Sequence, residues 1–537
     1  MSSERSSSAR LARPPRGLDR RAWWPALALV IALAAALRLA GLDRSPPGLH
    51  YDEAAYGLQA LELLAHPRLQ LFFPAFTGRE PLFIYLLAAG LDLLGSGVWA
   101  ARAVAALVGT AAVLTTALAG RALFGPAVGL LGAALLAVSF WHVTISRMTY
   151  RAGLVAALAP LALWLLWRLW QRPGAVRALL AGGALGLLAY SYVAVRLLPL
   201  ALLAFALAEL AAGPLRERRR LTAATLAALV AALVAAPLGL YFLRHPEDFG
   251  VRFAQTVGLG KGDEAPASPI LRGIAATLGM YGLRGDSLEK YNLPLRPALD
   301  PVLAALFALG LVALLARVRR SESRLVLTWL VGALAPGFVT ADSPNFLRLI
   351  GAAPPSYLIA ALGAATAARL AFCRAAPGAG WGEVAGAAGL ALALVSAEGL
   401  QTARDYFGRW APSAATYYAL HGDMADLGRM AAESAPDRTT YVASEHYRHP
   451  TVAFLAGAAF ERLRWFDGRD ALVLPPPDRA ADYLIPRSAR PPDLAPLGTP
   501  TASLLDPDGQ PAVERLELAA RPAAATAGPA EGIVFAR

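Results

Sequence analysis

Asp52 and Glu53 are adjacent carboxylates in the stretch GLHYDEAAYG (48–57), with His50 and Tyr51 beside them, in a chain that is otherwise mostly Ala, Leu and Val. Such a pair can do two things. It can start a helix, with Asp52 as the cap and Glu53 at the positive end of the dipole. It can also supply a catalytic carboxylate at a membrane surface. Residue type alone does not decide between them. The side of the membrane on which the motif lies, and what faces it there, do.

A third acid, Glu80, precedes Pro81 in FTGREPLF (76–83). It either caps a helix that begins at the proline or meets a substrate or metal. Four arginines stand where apolar runs end: Arg147 and Arg151 in WHVTISRMTYRAG, Arg196 in YSYVAVRLLP, and Arg348 in SPNFLRLIG. Each can snorkel to the lipid boundary or bind phosphate. Arg147 and Arg151 are four apart, so a helix would place them on one face. Arg102 lies near the end of its run and is read as structural. His50, His142 and His245 show no paired ligand spacing. His446 and His449 lie close in EHYRH, but two histidines without a third ligand are not a metal site. The glycine-rich GLGKGD (258–263) lacks the strand-and-helix context of a phosphate loop.

The elements that must position these residues follow from composition. The chain has 537 residues, 56% hydrophobic and 16% charged. Long uncharged runs recur, which makes this a polytopic α-helical membrane protein. The net charge of +12 does not indicate nucleic acid, because the basic residues, nearly all arginine, cluster at the ends of apolar runs. The single cysteine, Cys373, excludes an intrachain disulfide and a Cys-based zinc site.

Eleven runs can span: 22–41, 98–120, 127–142, 153–170, 178–195, 197–212, 221–241, 297–316, 325–340, 349–370 and 383–400. The run Pro81–Leu94 is short and holds Asp92, so it is expected to lie in the interface. With the basic N-terminus (1–21, expected to be disordered) in the cytoplasm, GRALFG, RLWQRPGAVR, PLRERRR, ARVRRSESR and ARLAFCR all fall inside. If 81–94 spanned, every one of those basic loops would move outside. The motifs carrying Asp52, Glu53, Glu80, Arg147, Arg151, Arg196 and Arg348 then share the outer face, and such clustering of ionisable residues marks function.

After Leu400 the composition changes. TTYVAS (439–444), RLRWFD (462–467), ALVLP (471–475) and ADYLIP (481–486) read as short strands, and 414–433 as one amphipathic helix. Residues 401–537 are therefore expected to form a small extracytoplasmic α/β domain with a frayed tail past Arg521, following a transmembrane domain over 22–400 whose first outer loop is 42–97.

The order of these pieces resembles the membrane glycosyltransferases of the C superfamily, and most of all family 39, the protein O-mannosyltransferase and aminoarabinose-transferase branch. The likeness covers roughly 22–400 and is strongest over 48–125. It implies a GT-C-like fold, a polyprenyl-phosphate sugar donor and chemistry on the extracytoplasmic side of the inner membrane. The family's acidic first-loop motif falls on Asp52 and Glu53, and the acid before its proline falls on Glu80. The second outer loop, which often carries a further acid in the family, reads ISRMTYRAG here. A second carboxylate is missing there, and a divalent metal stays open.

That chemistry suits the residues. A hydroxyl is a poor nucleophile, so a carboxylate must take its proton as it attacks the anomeric carbon. A lipid phosphate leaves without a general acid but needs its growing charge stabilised, which is work for Arg147, Arg151, Arg196 and Arg348. Single displacement implies inversion. Asp52 is expected as the base, with Glu53 supporting the motif and His50, Tyr51 and Glu80 lining the substrate. The acceptor is a protein, glycan or lipid hydroxyl, membrane lipids surround the site, and no nucleic acid takes part. The alternatives are a transporter or flippase, whose ionisable residues would sit near the midplane on broken helices, and a scaffold, which would tolerate loss of Asp52.

Overall fold

The computed structural model describes residues 20–250, 267–372, 380–476, 478–520 and 533–535. The N-terminus before Arg20, GLGKGD and Cys373 lie outside the described residues. So does most of the tail past Arg521, but Ile533–Phe535 returns as a strand.

All eleven apolar runs are helical. They form α1 (Arg20–Leu39), α4 (Val98–Phe124), the pair α5 (Pro126–Val138) and α6 (Phe140–Ser146), α7 (Gly153–Gln171), α8 (Ala175–Leu188), α9 (Leu198–Ala212), α10 (Arg218–Arg244), α12 (Pro301–Leu315), α13 (Ser321–Val339), α14 (Ala353–Phe372) and α15 (Gly380–Asp405). Among the described residues six of these segments are long and apolar enough to cross a membrane unaided, and the α5–α6 pair, bent by 61°, is a seventh. α8 and α12 are shorter apolar helices. Between α1 and α4 lie α2 (Tyr51–Ala65) and α3 (Leu82–Leu94). With 13 residues α3 is about 20 Å long, short of a bilayer core of about 30 Å. Ala267–Gly279 forms α11.

Small residues let the helices approach. A Cβ on Gly363 of α14 would lie 1.8 Å from the Leu306 carbonyl of α12, so that crossing requires glycine. The bend between α5 and α6 interrupts the helical ladder at the carbonyls of Leu136 and Ala137, the first of which keeps only a long bond, 3.4 Å, from the Ser139 N–H. Arg38, buried at the end of α1, donates to both, and to Nδ1 of His142 at 2.7 Å. A broken helix is thereby satisfied inside the bundle.

The remainder carries a five-stranded sheet of order β2-β1-β4-β6-β5, with β1 (Thr439–Ala443), β2 (Arg464–Phe466), β4 (Ala481–Pro486), β5 (Ala502–Leu505) and β6 (Pro511–Leu518). β1 pairs in parallel with β2 and β4, and the β5–β6 hairpin adds antiparallel strands. β3 (Ala471–Val473) pairs with β7 (Ile533–Phe535). The four expected strands are present. The β5–β6 hairpin was not expected, although its turn, DPDGQP, is built by Asp506 accepting from the N–H groups of Asp508 and Gln510.

The helix expected over 414–433 is two, α16 (Ala414–Ala419) and α17 (Gly422–Ala432). His421 breaks it with φ +54, a left-handed turn. That turn seats this part of the chain on α2. α18 (Pro450–Ala456) packs there too, with Phe454 against Gly57, where a Cβ would meet its ring at 2.4 Å. Gly48 has φ +68 and runs against the Leu420 carbonyl.

Candidate active site

α2 begins with both acids, and they part company. Glu53 Oε1 accepts from the backbone N–H of His50 at 3.3 Å, and His50 Nδ1 accepts from the N–H of Asp52 at 3.1 Å. Glu53 is also gripped by Arg102 through Nε at 3.2 Å and Nη2 at 3.0 Å, and by the N–H of Thr149 at 2.7 Å. Burial alone would raise its pKa, but the Arg102 charge and these hydrogen bonds hold the carboxyl below its ordinary range. Glu53 is 1% exposed. It fixes the helix start and ties it to the 147–151 loop, as the helix-start reading of this acid expects.

Asp52 points elsewhere. Its side chain is 28% exposed, and Oδ1 accepts from Arg79 Nη2 at 3.0 Å. Arg79, 1% exposed, comes from a tight turn in which Phe76, Thr77 and Gly78 all take positive φ. That turn is closed by reciprocal backbone bonds between Phe73 and Arg79. Two of its residues are not glycine, and strain of that kind clusters at functional sites. The Arg79 guanidinium lies over the Tyr56 ring at 4.2 Å.

Glu80 is buried between two arginines. Arg151 Nη1 donates to Oε2 at 2.5 Å, and Arg196 Nη2 to Oε1 at 3.3 Å. Arg151 also lies over Tyr56 at 5.9 Å and Tyr192 at 5.2 Å. Burial lowers its pKa and Glu80 raises it, with a net rise. Arg196 is held over Phe242 and Phe249. Asp52, Glu53 and Glu80 thus meet Arg79, Arg102, Arg151 and Arg196, and one positive charge is in excess.

Several buried donors here have no hydrogen-bond partner among the described residues: Nε and Nη1 of Arg79, Nε and Nη2 of Arg151, and the Tyr150 hydroxyl. An unsatisfied buried donor costs about 1–3 kcal/mol, so a ligand rich in acceptors recovers that cost here.

Arg348 is paired with Asp342, and its N–H is held by Asn345. The link to the cleft is Tyr291. Burial pushes its phenol up, the Asp52 charge pushes it further, and Arg348 opposes. Both charges act on one ring.

Arg147 is a correction to the expectation. Its Nη1 donates to Leu37 O and its Nη2 to Ala40 O and Ser45 O, each at 2.7 Å, while Nε donates to the Tyr406 hydroxyl at 3.1 Å. It caps the carbonyl end of α1 and ties down the connector to α2. Arg151 bonds to Glu80 instead, because α6 ends at Ser146 and the pair does not share a helix.

His50 and Tyr51 face the sheet-bearing part of the chain. His50 stacks on His421 at 5.1 Å, and Tyr51 meets His449 edge-on at 5.3 Å. His421 Nδ1 accepts the Tyr51 N–H at 3.0 Å, and His449 Nδ1 accepts the Thr451 N–H at 3.2 Å. His446 lies 6.0 Å from His449. The cluster does not fit a metal, because the Nδ1 atoms of His50, His421 and His449 already accept backbone protons. Nor does the set around Asp52, whose neighbouring carboxylates are held by arginines. Among the described residues one group, His245, Glu247 and Asp248, brings three ligand atoms within 4.8 Å, and His245 and Glu247 are exposed.

Sequence reasoning missed Arg79, Tyr56, Tyr192, Tyr291, His421 and the role of Tyr150. Two signals were available. Arg79 adjoins Glu80 in the same motif, and Tyr56 stands four residues after Asp52, one helical turn along the same face.

The family model for dolichyl-phosphate-mannose-protein mannosyltransferases matches residues 77–241, which hold Arg79, Glu80, Arg102, Arg151 and Arg196. Asp52 and Glu53 precede the matched segment. No curated protein is a significant sequence match to the chain. Its structure is similar to that of ArnT from Cupriavidus metallidurans bound to undecaprenyl phosphate, with a TM-score of 0.58 and 15% identity over 94% of this chain and 99% of that one. It is also similar to the oligosaccharyltransferase of Archaeoglobus fulgidus tethered to an acceptor peptide, with a TM-score of 0.54 and 16% identity over 83% of this chain and 64% of that one. At such identities the two structures establish a shared fold. Fold and family pattern together make this chain a multi-pass membrane glycosyltransferase with the GT-C fold, carrying the mannosyltransferase family's pattern over residues 77–241.

Proposed function

We propose that the chain transfers a sugar from a polyprenyl-phosphate donor to a hydroxyl acceptor, with inversion, on the extracytoplasmic face of the plasma membrane. One observation carries this reading: the two buried guanidiniums that hold Asp52 and Glu80 keep N–H groups with no hydrogen-bond partner among the described residues, beside a partly exposed carboxylate. Phosphate oxygens are acceptors matched to such forks.

In this reading Asp52 takes the proton of the acceptor hydroxyl as its oxygen attacks the anomeric carbon. The bond from that carbon to the phosphate oxygen breaks, and its electron pair stays on the lipid phosphate. Arg79 and Arg151 meet the growing charge where water is excluded. Glu80 orients Arg151 and Arg196, and Arg348 serves the same phosphate from its own helix entry. Glu53, with Arg102, keeps Asp52 in place. Residues 22–400 do this work, and 401–537 form an outer domain over it, near an acceptor that is a protein, glycan or lipid.

The test uses purified protein in proteoliposomes with two donors, an undecaprenyl-phosphate sugar and the matching nucleotide sugar. Transfer is expected from the lipid donor alone. Efficient transfer from the nucleotide sugar without lipid overturns the reading.

A further inference from the structure

At the other end of the bundle lies a cavity of about 390 Å³, walled by α1, α4 and α7 and lined by Trp24, Leu118, Arg121, Trp164, Arg168 and Arg172. It is far from the active site. Arg102 and Arg121 stand 19 residues apart on the same helix, which is about 28 Å. The cavity therefore opens at the opposite membrane boundary. Its size falls in the range of about 300–1,000 Å³ typical of small-molecule sites.

The walls are fixed. Trp23 Nε1 donates to Pro126 O at 3.1 Å, and Trp167 Nε1 to Ala122 O at 2.9 Å, which lock α1 and α7 against the end of α4 and the start of α5. Arg121 Cζ lies over the Trp23 ring at 4.1 Å and the Trp24 ring at 5.5 Å. Arg168 lies 5.9 Å from the Trp164 ring. Stacking of this kind holds a guanidinium plane in place and leaves its N–H edge available.

The charges are what set the cavity apart. Some arginines of this face have acids: Arg324 pairs with Glu209, Arg220 with Glu217 and Arg320 with Glu322. Arg121, Arg168 and Arg172 have no carboxylate within ion-pair distance among the described residues. Three cations share one concave, aromatic-walled space with nothing to neutralise them. Leu118 and Ala122 add an apolar floor, Gln171 adds an amide, and Trp24 is 53% exposed, an aromatic of the kind enriched at membrane–water interfaces.

We propose that this cavity is a binding site for the phosphodiester headgroup of an anionic phospholipid. The arginines take the phosphate oxygens, Gln171 a headgroup hydroxyl, and the floor with Trp24 and Trp164 the glycerol and the first methylenes. A free phosphate shares the arginine chemistry but makes no use of the apolar floor. The lipid is structural, bound at the membrane face away from Asp52, and the site is independent of the transfer reaction.

The full-length protein in phosphatidylcholine nanodiscs doped with phosphatidylglycerol, examined by native mass spectrometry, tests this. Wild type is expected to retain phosphatidylglycerol over phosphatidylcholine. An Arg168→Gln/Arg172→Gln double variant, altered at exposed positions and so able to fold, is expected to bind it about 25-fold more weakly, from about fivefold per arginine. Arg218→Gln/Arg219→Gln removes the same charge from the same face outside the cavity and is expected to retain the lipid. Equal loss in both double variants would reduce the effect to general surface attraction and overturn the site. Displacement of the lipid by millimolar inorganic phosphate would overturn the lipid assignment.

Discussion

Arg79 holds Asp52 through a hydrogen bond from Nη2 to Oδ1 at 3.0 Å, with the arginine buried and the carboxylate 28% exposed. A second contact to His50 Nδ1, at 3.9 Å, is too long for a hydrogen bond. One oxygen is thus anchored on a buried cation, and the partly exposed side of the carboxylate is the side from which a hydroxyl approaches.

Asp52→Asn keeps the size of the side chain and an acceptor for Arg79 while removing the base. General-base catalysis supplies about 100- to 10,000-fold, so kcat should fall by that order with the donor KM little changed. Steady-state kinetics with the lipid donor measure both. A variant that keeps wild-type turnover would assign proton removal to another group.

Glu53→Gln should behave differently. It leaves Arg102 buried without its counter-charge, and breaking a buried pair from one side costs about 3–5 kcal/mol. Thermal unfolding should report a large loss of stability. The Arg102→Met/Glu53→Gln double variant should recover part of it, since no unpaired charge then remains. If Glu53→Gln unfolds like wild type yet loses turnover as completely as Asp52→Asn, Glu53 holds a chemical role.

The bundle was legible because a membrane forces it. Backbone groups in lipid must bond within the segment, so every long apolar run had to be a helix. Placing the first-loop motif together with GREP and RMTYRAG followed from the arginine distribution. The division of labour between Asp52 and Glu53 was not legible, because it rests on Arg79 and Arg102, which lie 27 and 49 residues away. Arg147 was misplaced because a buried arginine and a phosphate-binding one have the same spacing in sequence. The difference is whether backbone carbonyls, here those of Leu37, Ala40 and Ser45, have already taken its protons. The histidine cluster joins positions 50, 421, 446 and 449, and only the tertiary fold could bring them together.

That cluster predicts a pH dependence. Burial, the largest cause, lowers His50 to about 3, His421 to about 4 and His449 to about 3. Lys290 and His446 push the same way on His421, and Asp52 opposes. An unfolded histidine takes its proton near 6.5. Between that value and the folded ones the undocked state binds more protons, so docking on α2 is intact above about pH 6.5 and weakens as pH falls toward 4. Each histidine contributes up to about 1.4 kcal/mol per pH unit across that window. Limited proteolysis between α15 and α16 should accelerate over the same range, and His421→Asn should flatten the response. Docking that is equally firm at pH 7 and pH 4.5 would contradict it.

Arg147 and Arg151, four residues apart, should fail in different ways. Arg147→Gln removes the cap on α1 and frees three carbonyls and the Tyr406 hydroxyl. Its unfolding temperature should drop while the donor KM of the folded fraction stays where it was. Arg151→Gln removes a guanidinium with two unpartnered N–H groups beside Glu80. A hydrogen bond to a charged group is worth about 1.5–3 kcal/mol, so the donor KM should rise about 10- to 100-fold. Turnover should fall as well, because the phosphate carries more charge in the transition state than in the bound donor. Measuring unfolding temperature and donor KM on both variants separates a capping arginine from a phosphate-binding one, and a raised KM in Arg147→Gln with unchanged stability would return that residue to the cleft.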